Sequence, residues 1–571
     1  MTPACLDYTI TQTMAAASIV LRNARLYTQV RHDPWAEALA IYKDRIVWVG
    51  RDADAHQWIG PQTEVIDAGR RLTLPGIIDS HFHLLRGARY LHDLQLGDAR
   101  TIEDVQTRLR TFAEAHPERE WLVGQGWQYS LFAQGGAPTR HLLDVVVHDR
   151  PVILIAFDLH TAWANTAALE RAGILRGAPT PLAFGAVVMG EDGLATGELR
   201  EPPAMDLVRA LIPPLSCDQE LDLLRQALKL CASYGITSVH NMDGDAYSLS
   251  LYRELEARGE MTVRIYVPLL VEPGTPPEAL EDWAHDTRDT WFRLEKNKFL
   301  PTPAPFVRTG CVKFFADGVV ETKTAWMLEP YADGSGEHGQ PNFDPRELDK
   351  LIVKADSLGL QCFVHTIGDA AVRATLDAYQ HARKLNGTRD TRHRLEHIEV
   401  IDPVDLTRLK RLRVLASMQP LHADFGTDPD NPWRALVGPA RWAWGFAWRT
   451  ILNAGVPLAF GSDWPVVTMN PFEGMRAGLC RQKLDLSDAS SPFPDHRLTL
   501  SELITGYTMD GAFFEFQERE KGRLRPGMLA DVVVLDTDLF ALPEAELAQH
   551  IAETRSVLTI VNGRVAHRTL D

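Results

Sequence analysis

The chain has no Cys-x-x-Cys pair, no excess of basic charge and no apolar run long enough to cross a bilayer, and each absence narrows what it can be. Its six cysteines, Cys5, Cys217, Cys231, Cys311, Cys362 and Cys480, are widely scattered. A disulfide framework is therefore not expected, and a reducing cytoplasm fits this usage. A formal net charge of −17 argues against general nucleic-acid binding, which needs basic patches to neutralise phosphates. Residues 1–17 carry no Lys or Arg and no sustained apolar core, so they read as a loose tail and not as a signal peptide. With no stretch approaching ~20 apolar residues, membrane spanning is not expected.

What is present points to a large enzyme. At 571 residues the chain exceeds one small core, and a barrel with an attached smaller domain is the simplest arrangement. Short alternating runs at 19–21, 24–27, 38–42, 45–50, 64–67 and 71–74 predict a small antiparallel sheet. The same texture returns only at 522–536 and 556–565, where Asn562-Gly563 reads as a hairpin turn. The two ends thus form one discontinuous β-sandwich, residues 18–73 and 521–571. Between them, 74–520, buried strands alternate with helical segments. After the first strand at 74–84, the candidates are 235–243, 263–271, 310–317, 360–365, 393–399, 413–418 and 456–463. Eight strands separated by helices predict an α/β (β/α)8 barrel, whose active site lies at the C-terminal ends of the strands. The gap from about 94 to 213 is too long for one helix and carries strand and helix patterns of its own. It reads as a subdomain inserted after barrel strand one.

The chemistry begins in Leu74-Pro-Gly-Ile-Ile-Asp-Ser-His-Phe-His-Leu84. At the strand period of two, His81 and His83 point to the same side and can ligate one cation, although a strand end also accommodates two ordinary polar residues. Lys313, in Cys311-Val-Lys-Phe-Phe-Ala-Asp-Gly318, sits in apolar surroundings that disfavour an ammonium. It either pairs with Asp317 or another acid, or reacts with carbon dioxide to give a carbamate able to bridge two cations. His365 and His397 close the fifth and sixth strands, where a lone histidine is more often structural than a ligand. His393 lies at the beginning of its strand and is assigned a structural role. Asp463, in Phe460-Gly-Ser-Asp-Trp464, ends the eighth strand as a turn residue, a helix cap, or a carboxylate that binds metal and moves protons.

Taken in order, these stretches resemble the amidohydrolase superfamily, and specifically its YtcJ-like branch, amidohydrolase family 3, which includes N-substituted formamide deformylases. Further matching stretches are Gly124-Gln-Gly-Trp127, 159–169, 313–327, 365–369, 394–397, Ser417-Met-Gln-Pro420 and 461–465. The Gly-x-Leu-x-Pro-Gly-x-x-Ala-Asp pattern at 522–531 resembles the C-terminal return of many members. The resemblance implies that His81 and His83 bind one metal, that His365 and His397 bind a second, that carbamylated Lys313 bridges the two, and that Asp463 joins the first. Zinc is the implied ion, with iron, manganese and cobalt as alternatives and one metal sufficient in some relatives. A hydroxide activated there would attack a carbonyl carbon, with Asp463 as general base delivering the proton to the leaving nitrogen. Trp127 and His160 match positions that approach the site in relatives. His422 follows the seventh strand, and Trp326 and Trp464 are candidates for an apolar pocket, each equally explained by packing.

The expected function is hydrolysis of a carbon–nitrogen bond other than a peptide bond, in an amide, N-formyl amine or cyclic amide. A deaminase or an ester or lactone hydrolase on the same metal site is the alternative. A non-catalytic sensor would have a broken ligand set, whereas all six positions are filled. The expected partner is a small-molecule substrate, with no nucleic acid or membrane, and a homodimer is the commonest form of a soluble oligomer.

Overall fold

The computed structural model describes residues 16–132, 136–157, 161–180, 182, 185–287, 291, 304–423, 432–480 and 496–570. Eight strands follow in chain order: β1 Ile77–Phe82, β2 Ile236–Asn241, β3 Arg264–Val271, β4 Val307–Phe315, β5 Gln361–Thr366, β6 Arg394–His397, β7 Leu415–Met418 and β8 Leu458–Phe460. They form one sheet in that spatial order, every pair parallel. The ends of the sheet meet at a parallel bridge between Phe82 and Trp464. This is the expected (β/α)8 barrel. Its strands are buried on both faces, so they read in the sequence as apolar runs.

The outer helices have local causes. Pro345–Ser357 and Pro403–Leu412 each begin with proline, and the preceding Asp344 and Asp402 accept the N–H of Arg346 and Val404. Such caps contribute about 1 kcal/mol each. Along the first of these helices Leu348, Leu351, Ile352 and Ala355 are buried, the 3–4 spacing that turns one face to the barrel.

Two further sheets make the expected sandwich. One holds Arg45–Gly50, Ala38–Tyr42, Ile19–Arg22 and Glu64–Asp67 in that order. The other holds Arg564–Arg568, Ser556–Val561, Val532–Leu535, Leu72–Pro75, Arg25–Tyr27 and Trp35–Ala36. Leu21, Leu39 and Ile41 from the first share a core with Leu26, Val532, Val534, Leu558 and Ile560 from the second. The first sheet is not purely antiparallel as expected: Ile19–Arg22 pairs parallel with Glu64–Asp67. The connection between them, residues 23–63, includes two other strands of the same sheet and the 3-10 helix Asp52–Trp58, more than the length that a parallel crossover needs. The sandwich is joined to the barrel by a buried bidentate pair, Arg264 of β3 to Asp531, at 2.8 and 3.2 Å.

Residues 85–227 form a separate compact unit. Its bounds are wider than 94–213 because most of the flanking helices Leu84–His92 and Cys217–Ser233 falls within it. Its sheet runs Ala186–Met189, Ala195–Arg200, Thr161–Ala164, Val152–Ala156, Leu122–Trp127 and Leu94–Gln95. Alternation divides it into two cores: Leu154 packs with Leu122 and Trp127 on one face, Ile153 and Ile155 with Leu169 and Leu199 on the other. Among the described residues no helix is long and apolar enough to cross a membrane.

Candidate metal centre

The C-terminal ends of β1, β5, β6 and β8 converge on one cluster. His81 Nε2 lies 3.4 Å and His83 Nε2 3.1 Å from Asp463 Oδ1. The His397 ring centroid is 4.6 Å from that of His81 and 4.5 Å from that of His365. One ligand atom from each of His81, His397 and Asp463 lies within 4.8 Å of the others. All of these side chains are buried.

Two ligand candidates reach the cluster through unusual backbone. Arg394 and Glu396 both bond inside the barrel, so simple alternation along β6 would send His397 to the other face. Instead His397 and Ile398 have φ of +72° and +49°, and Asp463 has φ of +62°. Left-handed backbone is uncommon outside glycine and concentrates at functional sites. The turn at Asp463 is possible because Gly461 has no side chain: a Cβ there would lie 2.3 Å from the His81 nitrogen.

The hydrogen bonds decide which ring nitrogens face the cluster. Glu396 Oε2 lies 2.6 Å from His81 Nδ1. Arg394 beside it holds the Glu396 carboxyl well below the usual range, against the opposing effect of burial. An ionised carboxylate only accepts, so Nδ1 carries the proton and His81 Nε2 presents a lone pair toward Asp463. His365 Nε2 donates to the Gly318 carbonyl at 3.0 Å, which leaves its Nδ1 as a lone pair, buried and without a hydrogen-bond partner among the described residues. His397 Nδ1 is likewise buried and unpartnered there. Burial pushes His81 down to about 4 and His365 to about 3, with His397 also well below its ordinary value. The His81, His365 and His397 rings are therefore neutral, and His81 turns its bare Nε2 toward a carboxylate, whereas at His83 the effect of burial is outweighed by Asp243 and Asp463, which raise it to about 9. Such a set of acceptors is stable around a cation, and the donors fit zinc or a similar divalent ion.

Lys313 is fully buried on β4. Its Nζ lies 3.8 Å from Met242 Sδ and 4.8 Å from the Phe315 ring centroid, and among the described residues no carboxylate reaches it as an ion pair. The pairing with Asp317 is not made. Asp317 accepts the N–H groups of Trp326, Ile367 and Gly368 instead. Burial pushes the Lys313 amine down to about 8, so its neutral form is a minority near neutral pH but far more populated than in an ordinary lysine.

The remaining sequence candidates are divided. His422 joins the cluster, stacked on His397 at 5.7 Å, with Nε2 3.5 Å from Asp463 Oδ2 and Nδ1 3.6 Å from Glu399 Oε1. The Trp464 ring packs on Phe82 at 5.0 Å, while its backbone carbonyl accepts the His83 N–H. Trp326 lines a groove with Arg346, Lys350, Ala370 and Ala374 on the outer helices. Trp127 is fully buried in the unit 85–227 and donates its indole N–H to the Leu154 carbonyl. His160 lies outside the described residues. His393 is bonded to Asp356 at 3.0 Å and accepts the Cys362 N–H. Sequence reasoning missed Glu396, Arg394, Asp79, which accepts the His81 and Ser462 N–H groups, and Asp243, whose Oδ2 lies 3.1 Å from His83 Nδ1. The i, i+2 spacing of Arg394 and Glu396 on one strand face was the available signal for two of them.

The sequence profile of the amidohydrolase family matches residues 64–567. The chain belongs to the amidohydrolase family. This amidohydrolase is 30% identical over 551 residues to the putative amidohydrolase YtcJ of Bacillus subtilis (strain 168), covering 95% of this chain and 98% of that protein. It is 28% identical over 540 residues to the N-substituted formamide deformylase of Arthrobacter pascens, covering 93% and 95% respectively. Among solved structures, an uncharacterized metal-dependent hydrolase from Pyrococcus furiosus aligns with a TM-score of 0.70 at 26% identity, covering 91% of this chain and 99% of that one. As an amidohydrolase of the YtcJ-like branch, the protein is a hydrolase acting on carbon–nitrogen bonds other than peptide bonds.

Proposed function

We propose that this amidohydrolase cleaves an N-substituted amide, an N-formyl amine or a cyclic amide, with Asp463 as the general base. The observation that carries the reading is the meeting of bare imidazole nitrogens with an aspartate at the mouth of the barrel. His81, His83 and Asp463 would hold one divalent cation, zinc by preference, and His365 and His397 a second, with carbamylated Lys313 between them. A cation so held would supply Lewis-acid chemistry, lowering the pKa of water and polarising the substrate carbonyl. The small-molecule amide in the N-substituted formamide deformylase's name is the class taken over here.

The chain's own residues do the rest. Asp463 accepts the proton of the attacking water and returns it to the departing nitrogen, so one carboxylate serves both halves of the reaction. His422 stands beside it. Burial lowers the basicity of this ring, but Glu399 and Asp463 outweigh burial and raise it, which suits a group that donates a hydrogen bond to a substrate oxygen. Phe82 and Trp464, chain neighbours of the candidate ligands, pack on each other.

The test is elemental analysis of the purified protein and of Lys313→Ala, followed by a panel of N-alkyl and N-aryl formamides, cyclic amides, esters and lactones. About two equivalents of metal in the wild type and one or fewer in the variant, with amides preferred, is the expected outcome. A wild type that stays metal-free after zinc is supplied overturns the mechanism. Turnover of esters or lactones alone moves the substrate class.

A further inference from the structure

Beneath the ligand cluster the barrel holds a run of buried charges that the reaction above does not use. Lys521 Nζ lies 2.6 Å from Glu515 Oε1 and donates to Ser238 Oγ. Arg308 approaches Glu515 Oε2 at 3.2 Å, and His240 Nε2 lies 3.3 Å from Glu515 Oε1. On the other side of that imidazole, Arg394 Nη1 reaches His240 Nδ1 at 2.8 Å. Arg394 then grips Glu396 through Nε to Oε1 at 2.6 Å and Nη2 to Oε2 at 3.0 Å, and Glu396 Oε2 reaches His81 Nδ1 at 2.6 Å. Every member is nearly or fully buried.

The run has a direction fixed by chemistry. A guanidinium can only donate, so His240 Nδ1 accepts from Arg394 and the His240 proton sits on Nε2, toward Glu515. Arg394 is further held by the Ser80 carbonyl and Ser417 Oγ, so its planar fork cannot turn away. Glu396 is thereby fixed on two sides, with Arg394 beside it and His81 above.

We propose that Glu396, clamped by Arg394, is a positioning residue of the metal centre, which fixes His81 as the Nδ1–H tautomer and turns its Nε2 toward the cation. The proposal rests on the metal-centre reading above. The bland alternative is that Glu396 merely neutralises Arg394 in the barrel interior. The two differ in what they predict for metal affinity in protein that remains folded.

The experiment compares wild type, Glu396→Gln and the double variant Arg394→Met/Glu396→Met. Zinc affinity is measured by competition with a chromophoric chelator, and the thermal midpoint of each chelator-stripped protein is recorded. Glu396→Gln is expected to weaken zinc binding about 10–100-fold, the usual cost of losing a partner that orients a ligating histidine. The double variant is expected to lose affinity equally while its metal-free thermal midpoint stays near wild type, because replacing a buried ion pair by apolar side chains is often neutral for stability. It therefore decides the matter if the single variant fails to fold. Folded variants that bind zinc as tightly as wild type overturn the proposal and leave Glu396 the neutralising role alone. Wild type that binds no zinc overturns the metal-centre reading itself, a distinct result.

Discussion

Asp79 Oδ1 accepts the backbone N–H of Ser462 at 3.0 Å and that of His81 at 3.2 Å, so one buried carboxylate ties the strand carrying His81 to the turn carrying Asp463. Candidate ligands that are 382 positions apart in the sequence are in this way held by a common neighbour. Asp79→Ala leaves buried N–H groups without their acceptor and is expected to cost about 1–3 kcal/mol, read as a lower denaturant midpoint, together with lower zinc retention. Asp79→Asn keeps an acceptor oxygen and is expected to lose less of both. Equal losses in the two variants would contradict this account.

Asp463→Asn keeps the shape of the turn but removes the carboxylate proposed as the base. On whichever amide the enzyme turns over, kcat is expected to fall by about 10²–10⁴-fold, the typical worth of a positioned acid–base group. Steady-state kinetics checks this, and undiminished kcat would assign the proton transfer elsewhere.

Gly461→Ala tests the close approach of β8 to β1. Its Cβ would meet the His81 nitrogen at 2.3 Å, His81 Cβ at 2.7 Å and Asp79 Oδ1 at 2.9 Å, none of them the free end of a flexible chain. A stability loss of about 1–3 kcal/mol is expected, with zinc content reduced in the folded fraction. A thermal melt and metal analysis on the same sample read both.

Acid sensitivity has a local contributor at Glu502. Arg449 grips this carboxylate at 2.6 and 2.7 Å and, with the Thr499 N–H, lowers its pKa from 4.5 to about 2 against the effect of burial. A depressed carboxylate stabilises the fold above its ordinary value of about 4.5, and that contribution disappears as pH falls through about 2. The pair is part-exposed, so after solvent screening its worth is about 0.5–1 kcal/mol. Glu502→Gln is expected to lower stability at neutral pH by that amount and to have little effect near pH 2, checked by urea midpoints across the range.

Asn165 organises the unit 85–227. Its side-chain oxygen accepts the N–H of Ala168 as a helix cap and that of Val152, while its amide nitrogen donates to the carbonyls of Val147 and Arg150. Asn165→Ala breaks all of these in a fully buried setting and is expected to cost about 2–4 kcal/mol. Hydrogen exchange should show the loss concentrated between residues 85 and 227.

Much of this protein was legible before folding is considered. Buried parallel strands are continuous apolar runs and their helices carry proline, capping aspartates and 3–4 spacing, so β1 to β8 follow from patterns spanning a few residues. The placement of His81 and His83 on one side is equally local, a consequence of the strand period. Other features are absent from any such window. By alternation His397 should face away from Glu396's side, and only its positive φ turns it into the cluster. Trp127 and Trp326 have the composition of pocket residues, but one is spent on a core and the other on an outer groove. Glu396 acts on a histidine 315 positions earlier, across a barrel that must close before the two can touch. Chain periodicity is set by neighbours along the backbone, whereas a tautomer and the direction of a lone pair are set by atoms in contact. The sequence by itself determined the barrel and the inventory of possible ligands; tertiary structure alone decided which nitrogens are bare and where they point.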